Sequence, residues 1–334
     1  MYKLYLNIRN HLHMFSLLSR YKSELMGISM IMVMIFHSVN PVINIFGFEI
    51  APLKRAEMGV DFFLVLSAVG CYFSLSKNGN ILRFYKNRII RIIPAFIICA
   101  FTYSVVLYYT KGKPISSFWE YITMYALLKG DISFWYIGNI MVCYLAMPVL
   151  YKLSKYKLVY CIFTVIFTIF IFYLAYKQIG LNNVSLCRFP IFVVSVLIGK
   201  TIYESDRKDY VFTKRTILIQ TIVALLCYIS TTIIVRTPME KHISLFIVSI
   251  PLLLWIAMCL SFTPTSIRRC LSFIGGISLE IYLLHSLIVA PILYIFIHKT
   301  IIFIICTFLV TIMLGYFMHI TIRCITNAAL NHDN

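Results

Sequence analysis

SELMGISMIMVMIFHSVN, residues 23–40, carries nothing charged from Leu25 to Val39 apart from one ionisable side chain, His37. A run of this length and composition reads as a helix that crosses a membrane. At 1.5 Å per helical residue the imidazole stands about 18 Å beyond Leu25. An ionisable group at that depth is costly in hydrocarbon, so it faces the protein interior or a wet cavity and is a candidate for function. The alternative is a structural histidine hydrogen-bonded between helices.

The rest of the chain has the same character. Of 334 residues 61% are hydrophobic and only 13% charged, and the mean hydropathy is +0.89. Soluble domains are about a quarter charged, so most of this chain is solvated by lipid. The formal net charge of +18 does not point to nucleic acid, because Lys and Arg sit in short clusters between apolar runs rather than on one face or tail. The ten cysteines are scattered singly. None makes a CxxC or Cys/His set, so neither a metal site nor a disulfide framework is expected.

Apolar runs mark about ten spans, near 24–41, 58–76, 92–110, 132–151, 158–176, 186–203, 215–235, 243–262, 275–297 and 300–322. The run holding Arg188 and Pro190 is the weakest. With the N-terminus inside, Lys and Arg favour the inner segments by about two to one. This bias predicts an all-α polytopic membrane protein with both termini cytoplasmic. Residues 1–22 lack the h-region and cleavage site of a signal peptide. Leu4, Ile8, Leu12, Phe15 and Leu18 instead recur at helical spacing, which predicts an amphipathic interfacial segment. The expected organisation is that segment over 1–22, a transmembrane domain over 23–325 and a short tail over 326–334, with no internal repeat.

Four stretches can carry chemistry. EMGVDFFLVLSAVG (57–70) starts the second span on the side where His37 ends the first, so Asp61 enters at about the depth of His37. A carboxylate accepting one ring N–H would leave the other nitrogen free as a base; the alternative is an acid favoured by the helix dipole. In RFYKNRIIRIIP (83–94), Arg88 and Arg91 share a helical face with Arg83 and Lys86 nearby. Together they suit a phosphate clamp, or equally topology anchors and lipid contacts. SFWYIGNIMVCYLAMP (133–148) opens with Trp135, an interface-belt aromatic or a shelf for a sugar ring, and adds Asn139 and Tyr144 as polar groups able to face a cavity. In FIGGISLEIYLLHSLIVAP (273–291), Ser278, Tyr282 and His285 form one polar stripe, lining a pore or acceptor site or acting as polar glue between helices. Glu280 points elsewhere, with Arg268 or Arg269 as its expected neutralising partner.

Together these stretches resemble the membrane-bound acyltransferase family 3, which includes bacterial O-acetyltransferases of surface sugars. The resemblance lies in Phe36–His37 ending the first span, GVDFFLVLSA (59–68), KNRIIRIIP (86–94) and ISLEIYLLH (277–285). Each is degenerate alone; the four in order, over ten spans, are specific. The resemblance implies that His37 is the catalytic histidine and that Arg88 and Arg91 are the basic pair associated with acyl-CoA. Asp61 falls on the family's recurring acid, Trp135 on the aromatic opening the fourth span, and His285 on the histidine closing the ninth-span motif. One departure stands out. Many members carry an arginine eleven positions before the catalytic histidine, where this chain has Met26, and the nearest cations are Arg20 and Lys22.

The resemblance thus implies a multi-pass protein of the bacterial cytoplasmic membrane, with the bilayer, acyl-CoA and a carbohydrate acceptor as partners and polysaccharide-biosynthesis proteins as further candidates. Acetyl-CoA, or another short acyl-CoA, is expected as the donor substrate, with no bound cofactor. Members often carry a second, esterase-like domain outside the membrane. This sequence ends at Asn334 without one, so the acyl group is expected to go directly to its acceptor or to a separate partner. A transporter or flippase of a polysaccharide precursor is the alternative, since ten helices and a cationic inner face would serve it too. A scaffold in a polysaccharide-synthesis complex is a third.

Overall fold

Backbone groups in apolar surroundings have no water to bond, so runs this apolar satisfy themselves as helices. The computed structural model describes residues 15–38, 55–176, 187–204, 218, 219, 221–223, 225, 226, 229, 238–297 and 300–332, and no strand occurs among them. Leu4, Ile8 and Leu12 of the amphipathic segment, and most of the span near 215–235, lie outside the described residues.

Helix α1 (Ser16–Arg20) buries Leu17 and Leu18 and meets α2 (Lys22–His37) at Tyr21. A 3₁₀ turn, Arg55–Glu57, leads into α3 (Met58–Asn78). Helix α4 (Ile81–Lys111) starts where the Asn80 side chain accepts the Arg83 N–H at 3.0 Å, satisfying one of the donors a helix start leaves open. A proline most often starts or kinks a helix, and Pro94 stands near the expected start of the third span. It lies inside a helix that begins thirteen residues earlier, so the basic residues from Arg83 to Arg91 belong to the first turns of α4. Two short helices follow, α5 (Ser117–Ile122) and α6 (Tyr125–Leu128), then α7 (Trp135–Ser154), α8 (Lys157–Tyr176), α9 (Phe189–Glu204) and α10 (Pro238–Phe262). Helix α11 (Thr265–Gly276) precedes α12 (Ser278–Leu284), which passes through a π turn, His285–Val289, into α13 (Ala290–Phe296). Helix α14 (Thr300–His332) ends the described chain.

Among the described residues seven helical stretches are long and apolar enough to cross a membrane: Arg55–Asn78, Ile81–Lys111, Trp135–Ser154, Lys157–Leu174, Ile243–Phe262, Ser278–Phe296 and Ile301–Thr326. The first and sixth expected spans appear as α2 and α9, each 16 residues, against the roughly 20 that a straight crossing takes. Helix α3 is central: 83% of its apolar stretch is buried, against 17% for α8 and for α14. It packs between α2 and α9, and this sandwich explains why both its faces are hydrophobic.

Helix α11 is amphipathic and lies along α2. Its approach is possible because glycine faces backbone on both sides. A Cβ on Gly27 would strike the Leu271 carbonyl, and one on Gly275 the Ser23 carbonyl. Helices that touch through backbone cannot yield to an added methyl by turning a rotamer, and overpacking costs about 1–3 kcal/mol. Gly27→Val and Gly275→Val are therefore each expected to lower the thermal unfolding midpoint of the purified protein in detergent. A midpoint unchanged in both would rule out the crossing.

Candidate active site

His37 is the last residue of α2. Its Nδ1 lies 2.9 Å from the Val33 carbonyl and 3.1 Å from His285 Nε2, and the two rings meet edge-on with centroids 4.7 Å apart. His285 Nδ1 in turn reaches the Tyr282 carbonyl at 2.8 Å and the Ile281 carbonyl at 3.1 Å. Carbonyls only accept, so Nδ1 carries the proton on both rings. In the neutral pair His285 Nε2 is then an acceptor for His37 Nδ1–H, and His37 Nε2 keeps a free lone pair. This is the tautomer a general base needs. The π turn begins at His285; such a turn inserts one extra residue and re-aims the side chains beside it. A cavity of about 190 Å³ adjoins His37 and His285, with Met34, Ser38, Ser286, Ala290, Phe303, Thr307 and Phe308 around it.

Toward the other end of α2 lies a larger cavity of about 360 Å³, within the size range of small-molecule sites. Lys22, Arg88 and Arg91 line it together with Ser23, Ser67, Ser278, Tyr136, Tyr144 and Tyr282. The Arg88 guanidinium lies against both the Phe84 and Tyr144 rings, 5.4 and 5.2 Å from their centroids, a cation–π arrangement. Its Nε is buried without a hydrogen-bond partner. The Lys22 amine lies against Gly70, where a Cβ would displace it. Among the described residues neither Lys22 nor Arg88 has a carboxylate partner. Tyr136 and Tyr282 close the far wall, with centroids 4.9 Å apart, and the Tyr282 ring is 5.7 Å from that of His285. One helical turn of α12 thus separates the cationic cavity from the histidine pair.

Several expected residues take other partners. Arg91, expected beside Arg88 on the donor, is tied by both terminal nitrogens to Glu280, one bond being 3.0 Å, and by a 3.1 Å bond to the Gly276 carbonyl. Glu280 is fully buried, and its second partner is His319 at 2.9 Å. Arg91, rather than Arg268 or Arg269, therefore balances this acid, with His319 as a further hydrogen-bond partner; Arg268 lies 5.6 Å from the Tyr21 ring. Lys86 is exposed and outside the cavity. Of the two cations offered for the position that Met26 leaves empty, Lys22 reaches the cavity, whereas Arg20 is exposed over the Tyr21 ring.

Asp61, expected to orient His37, makes no hydrogen bond to it among the described residues. Its carboxylate accepts from Arg188 at 3.0 Å, and Arg188 also reaches the Glu57 carboxylate at 3.4 Å and the Glu57 carbonyl at 3.3 Å. All three side chains are buried. The Arg188 cation faces the Trp135 ring at 5.4 Å, so the aromatic shelf meets a protein cation. The physical reason is compensation: an arginine buried in an apolar bundle draws the nearest acids to itself, leaving a histidine to meet His37. Arg188 and His319 are the residues that sequence reasoning missed. The signal for Arg188 was its presence in an otherwise apolar run.

Apolar helices of this length and number define a multi-pass membrane protein. Residues 25–320 match the family model of the acyltransferase domain, and the chain belongs to the acyltransferase 3 family. It is a membrane acyltransferase. Comparison with curated proteins and with solved structures returned no match.

Removing one member of a buried ion pair leaves an unbalanced charge and costs about 3–5 kcal/mol, while removing both costs less. Asp61→Ala and Arg188→Ala are each expected to destabilise the protein strongly in detergent unfolding, with the double variant more stable than either. If Asp61→Asn instead kept full stability and lost activity, Asp61 would be part of the catalytic machinery.

Proposed function

We propose that the protein moves a short acyl group, acetyl in the first place, from acyl-CoA to a hydroxyl of a cell-surface or lipid-linked carbohydrate. The observation that carries this reading is the cationic cavity. Among the described residues Lys22 and Arg88 have no carboxylate to balance them, and two such cations suit an anionic ligand of the phosphate class. Tyr282, which lines this cavity, has its ring 5.7 Å from that of His285, the residue that meets His37. A donor bound by its phosphates at Lys22 and Arg88 would point its pantetheine arm and thioester toward that pair. In this reading the Lys22 end faces the cytoplasm, where acyl-CoA is, in the bacterial cytoplasmic membrane.

The chemistry then follows from the tautomers. His37 Nε2 removes the proton of the acceptor hydroxyl as its oxygen attacks the thioester carbonyl. The tetrahedral intermediate collapses, the C–S bond breaks, and the thiolate leaves with the proton that His37 had taken. Throughout, His37 Nδ1–H stays donated to Val33 and His285, and those acceptors support the imidazolium while it exists. His285 fills the orienting place that an acid fills in a serine-hydrolase triad. Arg91, neutralised by Glu280, holds the floor of the cavity together.

In membranes or detergent with labelled acetyl-CoA, His37→Ala is expected to abolish transfer while the protein still inserts; transfer near the parent rate would falsify the assignment. Arg88→Ala and Lys22→Met should each raise the KM for acyl-CoA about tenfold, the equivalent of about 1.4 kcal/mol. Arg20→Ala should leave that KM alone. An unchanged KM in both cavity variants removes the donor site from this end of the protein.

A further inference from the structure

The cavity beside His37 has an uneven lining. His37, Ser286 and the edge of His285 are at one pole, and Met34, Ala290, Phe303 and Phe308 make the rest of the wall. Two further hydroxyls on the wall are already used: Ser38 donates to the Met34 carbonyl at 3.0 Å and Thr307 to the Phe303 carbonyl at 2.8 Å. Among the described residues no carboxylate, amide or cationic side chain lines it. A water-soluble sugar would bury several hydroxyls here, and most would lose their water without a partner, which is unfavourable. A single hydroxyl on an otherwise apolar neighbourhood would be fully matched.

The helices on either side point the same way. On α13, Ile292, Ile295 and Phe296 are exposed, and on α14 so are Ile301, Ile302, Ile305 and Leu309. In a membrane protein such faces are solvated by acyl chains. The apolar wall of the cavity is thus carried largely by lipid-contacting helices.

We propose that this cavity takes an amphiphilic acceptor, a lipid or lipid-linked alcohol whose reacting hydroxyl adjoins an apolar chain, presented to His37 from within the membrane. The inference rests on the acyl-transfer reading and narrows its acceptor to one chemical class. The reacting oxygen sits at the His37 and Ser286 pole, gives its proton to His37 Nε2 and forms the ester as the thioester C–S bond breaks. The apolar part of the acceptor lies along Ala290, Phe303 and Phe308.

The test uses the full chain in lipid nanodiscs with labelled acetyl-CoA and succinyl-CoA as donors, and dodecanol and methyl glucoside as acceptors at equal concentration. Ester formation on dodecanol should exceed that on methyl glucoside at least tenfold. Ala290→Phe should cut transfer to dodecanol at least tenfold without changing CoA affinity, and Ala290→Leu serves if the larger side chain prevents insertion. Equal rates on the two acceptors, or full transfer in a folded Ala290 variant, overturn the amphiphile proposal while leaving acyl transfer standing. Consumption of neither donor overturns the acyl-transfer reading, and the proposal with it.

Discussion

A charge taken out of water into an apolar bundle must be balanced by its neighbours, and that constraint organises this protein. Glu280 has no exposure at all and holds both Arg91 and His319. Asp61 and Glu57 converge on Arg188, which in turn faces Trp135. These clusters join helices far apart in the chain: α4 to α12 and α14, and the start of α3 to the start of α9. Against this background the cations that lack an acid are informative. Among the described residues Arg88 and Lys22, which border a cavity, have no such acid, and Arg88 rests against two aromatic rings; this is the imbalance that the proposed anionic donor would offset.

The placement of His37 depends on backbone contact as much as on charge. Helix α11 lies against α2 through Gly27 and Gly275, and α3 packs on the other flank of α2. Helix α2 is therefore held at its Lys22 end by glycine contacts and at its far end by the His285 hydrogen bond. One element thus carries a cavity-lining cation at its first turn and the imidazole at its last. Their separation is set by a single stretch of helix rather than by loops.

Much of this was legible before any coordinates, and the remainder was hidden for definable reasons. Periodicity and hydropathy show the apolar helices, and the family motifs single out His37 and Arg88. The spacing of Ser278, Tyr282 and His285 shows one polar stripe, which the structure divides between two cavities because the backbone opens into a π turn at His285. Depth along a helix can be read from sequence, whereas rotation about its axis cannot. Asp61 was placed at the level of His37 on that basis, yet its carboxylate turns to Arg188, 127 residues away. Arg91 shares a helical face with Arg88, and nothing local reveals that Glu280 and His319 claim it. Lys22 reaches its cavity only because Gly70, on another helix, leaves room.

The π turn at His285–Val289 also makes chain length itself a constraint. A regular α turn takes 3.6 residues and a π turn about one more, so losing one residue between His285 and Val289 would let the helix close into regular winding with Ala290 still on the wall it shares with Phe303. Adding a residue there, or losing two, would instead swing everything after it by about 100°, while the segment preceding His285, which borders the cationic cavity, would keep its orientation. Substitutions can drift in this segment, but its residue count sets the phase between the two ends of one helix.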